Sequence, residues 1–379
     1  MGPAFSDASL TAHGGNIHEL SRRLRREENA FIDFSSNTHA FAGDITAALA
    51  ATTPVEFAVY PDTECTALRA ALAAHEGLEP ALVLPGNGSA DLIWLTMTAL
   101  APRKVLLIGP IFSEYVRACL AFDIPFEIIT PPAEQEFICG PAELRRIWDS
   151  EADLAIICTP NNPAAVTYPN IAEMLGVLRV PRLLVDGTYK EFLWGRESYR
   201  ENNWQSYRSM LRPGVTLFCL NSFTKFFAAP GVRLGYLLAD AVQLRRFSRL
   251  RPPWSVSSFA QDMGVAFLNH IDAYRERLAP LGTQLASLAF SLRRMDSFAA
   301  EHVFEGPSFV TAAISPNLRP RLSAETIREK LLTQGLIIRN CDTIPGMPLG
   351  FLRFQARPAE DTEALLKALF WYEERGWRN

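Results

Sequence analysis

The sequence predicts an α/β protein, a mostly parallel sheet between helices with a smaller α+β domain after it, on three observations. Short apolar runs alternate with amphipathic stretches over residues 81–239, and longer helical patterns take over from about residue 240. Isolated polar residues stand just past the ends of several apolar runs, where open α/β sheets bind ligands. A chain of 379 residues, 48% of them hydrophobic, can bury a core of this size.

Taken in order, residues 1–45 are too few for a domain and are expected to form an arm packed on the small domain and the substrate site. Its basic cluster, RRLRREE at 22–28, is followed at once by acids and reads as a solvated helix face. A large domain is expected over 46–275, with strands at 81–86, 104–109, 126–130, 154–159, 182–186, 215–221 and 233–239. Helices are expected between them at 89–101 and 141–150, where apolar residues recur at helical spacing. A small domain over 276–379 is expected to follow a helix at 273–295, with strands at 308–315, 336–340 and 351–357 and helices at 323–334 and 359–375.

Composition excludes several classes. A net charge of −4 and a pI near 6.0 give no footprint for nucleic acid. No apolar stretch reaches eighteen residues and the first thirty are too polar for a secretory signal, so the membrane is not an expected partner and the cytoplasm is the expected location. The six cysteines lie far apart, without C-x-x-C pairs or a His at metal-ligand spacing, which reads as buried thiols and no metal site.

The segment NSFTKFFAAPGVRLGY (221–236) sets Lys225 among aromatic and small residues. Taken alone, such a lysine is more often solvated than catalytic. Asp186, at the end of RLLVD, would by itself serve as a turn cap with Gly187 and Thr188. Gly88 and Ser89 in PGNGSAD would be a plain helix start, yet a helix N-terminus also offers backbone N–H groups to a phosphate. The stretch is not G-x-G-x-x-G, so a dinucleotide reading is weak. Together the parts match one cofactor. Pyridoxal 5'-phosphate needs a lysine for its aldehyde, an acid at its pyridine nitrogen, donors to its phenolic oxygen, an aromatic platform and an anion pocket. S-x-T-K with Arg233 eight residues after the lysine supplies several of these within one segment.

At these residues the chain resembles the fold-type I pyridoxal-phosphate enzymes of the class I/II aminotransferase group. YPD (60–62), NNP (161–163), DGTY (186–189), SFTK (222–225) and RLGY (233–236) occur in that family's order. The resemblance implies Lys225 as the Schiff-base lysine and proton shuttle, Asp186 against the pyridine nitrogen, and Asn162 and Tyr189 on the phenolic oxygen. It implies Phe112 stacked on the ring, with Gly88, Ser89, Ser222, Thr224 and Arg233 around the phosphate. Tyr60 would come from the neighbouring subunit, which implies a homodimer. Arg353, in GFLRFQAR, matches the arginine that grips a substrate α-carboxylate.

HGGN (13–16), FIDFSSN (31–37), RPPWSV (251–256) and LIIRNC (336–341) followed by PG (345–346) look more closely like the L-threonine-O-3-phosphate decarboxylases of cobalamin biosynthesis, relatives of histidinol-phosphate aminotransferase. This implies His13, Asn16 and Arg339 at the substrate phosphate and Ser36 and Asn37 near its carboxylate. The expected reaction is decarboxylation of a phosphorylated amino acid, L-threonine O-3-phosphate giving (R)-1-aminopropan-2-ol O-2-phosphate and CO2. The alternative is an aminotransferase acting on histidinol phosphate or a related amine. NPAA (162–165) and DGTYKEF (186–192) depart from the N-P-T-G and D-E-A patterns of these relatives, and a phosphoserine-directed enzyme would look similar.

Overall fold

The computed structural model describes residues 14–54, 56 and 58–377. Its strands are β1 (Ile32–Asp33), β2 (Val83–Gly86), β3 (Val105–Ile108), β4 (Phe126–Ile129), β5 (Leu154–Cys158), β6 (Arg182–Asp186) and β7 (Thr216–Ser222), then β8 (Gly235–Leu238), β9 (Phe298–Glu305), β10 (Phe309–Ile314), β11 (Leu336–Ile337), β12 (Arg339–Asn340) and β13 (Phe351–Gln355).

Strands β3, β5 and β6 are built almost wholly from Val, Leu, Ile and Ala because helices cover both faces, and nearly every side chain in them is buried. Each such side chain contributes about 1.5–3 kcal/mol when fully buried. The large sheet runs β2-β8-β7-β6-β5-β3-β4, with β8 antiparallel to both of its neighbours and the remaining pairs parallel. All seven expected runs are its strands.

The parallel register decides where the chemistry sits. Cys158 pairs with Asp186 and Asp186 with Leu220, so β5, β6 and β7 end side by side. The segments leaving those ends carry Asn162, Thr188, Tyr189 and Lys225 to one edge of the sheet.

A second, antiparallel sheet has the order β12-β13-β10-β9, and the helix Leu278–Arg293 packs on β9 and β10. Two expectations change here. The helix expected at 273–295 is divided into Ile271–Glu276 and Leu278–Arg293, and Pro280, which lacks an N–H, falls in the first turn of the second piece, where that donor would have no intrahelical partner. The run expected at 336–340 serves two sheets: β11 pairs in parallel with β1, and β12 pairs with β13. β9 itself was not expected, because Glu301, His302 and Glu305 interrupt its apolar pattern at an edge position.

All six cysteines are buried and free. Among the described residues, no helix is long and apolar enough to cross a membrane.

Candidate active site

At the C-terminal edge of β5–β7, facing β12 and β13, lies a cavity of about 220 Å³. Lys225 lines it, with Ser222 and Thr224 from the same segment and Arg233 beyond. So do Asp186 and Tyr189 after β6, Asn162 after β5, Ser89 at the start of the helix Gly88–Leu100, and Phe112 just ahead of the helix Ser113–Ala121. Ser36, Arg339 and Arg353 close the opposite side.

Lys225 is wrapped by the segment 35–38, and its Nζ donates to the Ser36 carbonyl at 2.7 Å. Burial first, then the Arg353 guanidinium, bring its ammonium down to about 8. An amine so placed is uncharged and nucleophilic in a useful fraction near neutrality.

Asp186 is 3% exposed, and burial raises its carboxyl above the ordinary range. Its Oδ1 accepts from the Thr188 N–H at 3.0 Å and its Oδ2 from the Tyr115 hydroxyl at 2.8 Å. The turn-capping bond is therefore made, and the same carboxylate still faces the cavity. A buried acid of this kind is suited to pairing with a cationic ring nitrogen.

Asn162 donates from Nδ2 to the Tyr189 hydroxyl at 2.9 Å and accepts at Oδ1 from Arg353. Burial pushes the Tyr189 phenol up to about 12, so it remains a donor. Arg353 also donates from an Nη to the Ser35 carbonyl at 2.8 Å, while its buried Nε has no partner among the described residues.

Arg339 stands directly across from Arg353 in the β12–β13 pairing. It donates to the Thr343 hydroxyl at 2.9 Å, and burial, with Arg353 adding, lowers it to about 10. Like charges at opposed positions destabilise a sheet. The pair makes physical sense around an anion.

Several expected residues sit elsewhere. Gly88 lies behind the wall at φ +82°, where an added Cβ would come within 2.6 Å of the Arg233 guanidinium. Asn37 is fully buried behind Tyr189 with its backbone at φ 56°, and it is not part of the cavity lining. Asn16 points away: it is exposed and donates to Glu19 at 2.6 Å, because it begins the helix Ile17–Leu24. Tyr60 is 76% exposed, stacked on Trp254 at 4.6 Å, and outside this cavity. His13 lies outside the described residues. Its neighbours reach the site, however: the Gly15 N–H donates to the Ser35 hydroxyl at 2.9 Å, and a Cβ on Gly14 would come within 2.2 Å of the Ser35 carbonyl. Glycine is what permits that approach.

Tyr115, Thr188 and Ser35 were missed. Tyr115 follows Phe112 by one helical turn, which is the sole sequence signal for it, and its partner is 71 residues away.

Three observations test whether pyridoxal phosphate fits. Gly88 and Gly235 let the chain pack tightly behind Ser89 and Arg233, which line the cavity: a Cβ on Gly235 would come within 2.8 Å of the Ser89 N–H nitrogen. Hydroxyls of Ser222 and Thr224 line the same end of the cavity, as an anion pocket at a helix N-terminus requires. Buried Asp186 and the unpartnered Arg353 Nε supply the ring-nitrogen partner and an anion donor. The residues fit.

The sequence model described as aminotransferase class I and II matches residues 29–369. The chain belongs to that family. It is 27% identical over 366 residues to the threonine-phosphate decarboxylase of Salmonella typhimurium, covering 95% of this chain and 96% of that one. It is 28% identical over 324 residues to a histidinol-phosphate aminotransferase of Desulfitobacterium hafniense, covering 83% and 84%. Among solved structures, histidinol-phosphate aminotransferase from Sinorhizobium meliloti, in complex with pyridoxal 5'-phosphate, superposes with a TM-score of 0.76 over 99% of both chains at 18% identity. The fold is that of the fold-type I enzymes, and with this family and this cavity the cofactor is pyridoxal 5'-phosphate.

Proposed function

We propose that the protein decarboxylates a phosphorylated amino acid, O-phospho-L-threonine, releasing CO2 and (R)-1-aminopropan-2-ol O-2-phosphate. The observation that carries this reading is the opposed pair of buried Arg353 and half-buried Arg339, two cations on one wall of the cavity. A substrate with both a carboxylate and a phosphate satisfies both. The similarity to threonine-phosphate decarboxylase over 95% of the chain supports the same assignment.

In this reading Ser89, Ser222, Thr224 and Arg233 would hold the cofactor phosphate, with Gly88 behind them leaving room for the Arg233 guanidinium, while Asp186 would meet its ring nitrogen, Asn162 and Tyr189 its phenolic oxygen, and Phe112 its ring face. When bound, the cofactor supplies an electron sink conjugated to the substrate Cα. Arg353 would grip the α-carboxylate through its Nε, which no described residue engages, and so fix which bond at Cα is set to break. Arg339 takes the substrate phosphate. Cleavage leaves the bonding electron pair at Cα, and Lys225 Nζ delivers the proton that replaces the carboxylate. Ser35, Ser36 and the glycines of the arm shield the site from water.

The division into an arm over 1–45, a large domain over 46–275 and a small domain over 276–379 belongs to the same reading. So does a homodimer in which exposed Tyr60 reaches the partner's cofactor phosphate. A second reading, transamination of histidinol phosphate, is favoured by the 28% identity to an enzyme of that name and uses the same residues, with Lys225 removing the Cα proton instead. Assaying CO2 from O-phospho-L-threonine, with and without a keto acid, tests the proposal.

A further inference from the structure

Gln355, two residues beyond Arg353 in GFLRFQAR on β13, was given no role above and is fully buried. Alternate residues of a strand share a face, so Arg353 and Gln355 point the same way, and Arg357 follows just past the strand's end. All three fasten the segment 33–38. Arg353 donates to the Ser35 carbonyl at 2.8 Å and Arg357 to the Asp33 carbonyl at 3.1 Å. Gln355 does most: its Oε1 accepts from the Ser36 hydroxyl at 2.9 Å and the Asn37 N–H at 3.1 Å, and its Nε2 donates to the Thr38 carbonyl at 2.8 Å. The fastened segment is the one whose Ser36 carbonyl receives Lys225 Nζ at 2.7 Å.

We infer that Gln355 is a positioning residue for Lys225: it clamps the segment Ser36–Thr38 over the amine and so keeps the amine dry. No other side chain bonds three consecutive residues of this segment among the described residues. A glutamine suits the task because its amide offers an acceptor and a donor on one planar group without a charge to bury. The inference rests on the reading of Lys225 as the cofactor lysine.

Burial is the largest influence holding the Lys225 ammonium down to about 8. The charged groups facing it are Arg353 from β13, Arg233 from beyond β7 and Asp33 from β1, while Asp186, Tyr189 and Arg339 line the same cavity. Arg353 and Arg233 lower it and Asp33 raises it, and none of them is changed by altering Gln355. Opening the clamp admits water, which removes the burial effect and lets the ammonium return toward its ordinary value.

The test is the rate at which full-length protein, stripped of cofactor, captures added pyridoxal phosphate, followed by visible absorbance across pH. Gln355→Met keeps the side-chain length and removes both polar atoms. The midpoint of its capture profile is expected to move at least about one pH unit alkaline of wild type, with a loss of about tenfold near neutrality and convergence at high pH. Ser36→Ala, which removes one of the three bonds, moves it the same way by less and decides the matter where Gln355→Met does not fold. A slower rate with an unmoved midpoint means that Gln355 is merely structural and overturns the inference. A Lys225→Ala protein that captures cofactor like wild type would instead overturn the reading of Lys225.

Discussion

Arg339 and Arg353 are cross-strand partners, set opposite one another where β12 meets β13, and both line the same cavity. Neither has a carboxylate as a salt-bridge partner among the described residues. The proposed function makes these two guanidiniums the receptor for two negative groups, and the first expected outcome concerns them. Arg339→Ala should lower kcat/KM for O-phospho-L-threonine at least roughly 30-fold, since truncating one partner of a buried charge pair costs about 2 kcal/mol or more. The slow reaction of unphosphorylated L-threonine should barely change. An equal fall for both substrates would remove Arg339 from the phosphate.

Asp186→Asn separates stability from binding. Burial raises the folded-state carboxyl above its unfolded value, so the cofactor-stripped protein loses stability as pH climbs from the ordinary aspartate range through the raised value, and the loss persists at neutrality. The asparagine variant escapes it and should melt higher than wild type at neutral pH when stripped, yet bind pyridoxal phosphate more weakly. Differential scanning of the stripped proteins and an absorbance titration check the two halves. A lower melting temperature in the variant would contradict the sign.

Gly235→Ala tests the close packing behind Ser89 at the cavity wall. Its Cβ would lie 2.8 Å from the Ser89 nitrogen and 2.9 Å from the Asn221 carbonyl oxygen, and both are backbone atoms that cannot swing aside. Overpacking of this kind costs about 1–3 kcal/mol, roughly 5- to 150-fold in cofactor Kd if it falls on the phosphate site. Unchanged Kd in an equilibrium titration would place the phosphate elsewhere.

Behind Tyr189 lies a buried ion pair. Lys190 Nζ donates to both Glu76 oxygens at 2.8 Å, and the Tyr236 hydroxyl adds a bond to Glu76 at 2.5 Å. Burial works against the Lys190 charge, but Glu76 and Glu191 outweigh it and hold the ammonium above its usual range. Lys190→Met strands Glu76, while Glu191 keeps His75 and Arg275, and should destabilise the protein by about 3–5 kcal/mol, read by urea unfolding. A loss under about 1 kcal/mol would mean that Glu76 is protonated or hydrated instead.

What the sequence showed follows from range. The strands around the site are continuous apolar runs, and Ser222, Thr224 and Lys225 sit within one turn of chain whose spacing is itself the geometry. Asp186 alone read as a turn cap, and only its company in DGTY, in the order of the family's motifs, pointed to the site whose cavity it lines. Tyr115 and Gln355 were not, since they act on residues 71 and 318 positions away and nothing local marks them. Asn16 shows the converse: a motif held it near the site by association, while its own helix turned it toward Glu19 and solvent.

The most direct measurement follows CO2 and glutamate together as purified protein turns over O-phospho-L-threonine, with and without 2-oxoglutarate. Prompt CO2, one per substrate consumed and indifferent to the keto acid, is the expected result. Glutamate formed in step with substrate loss, without CO2, would contradict the decarboxylase and leave the same residues serving a transaminase.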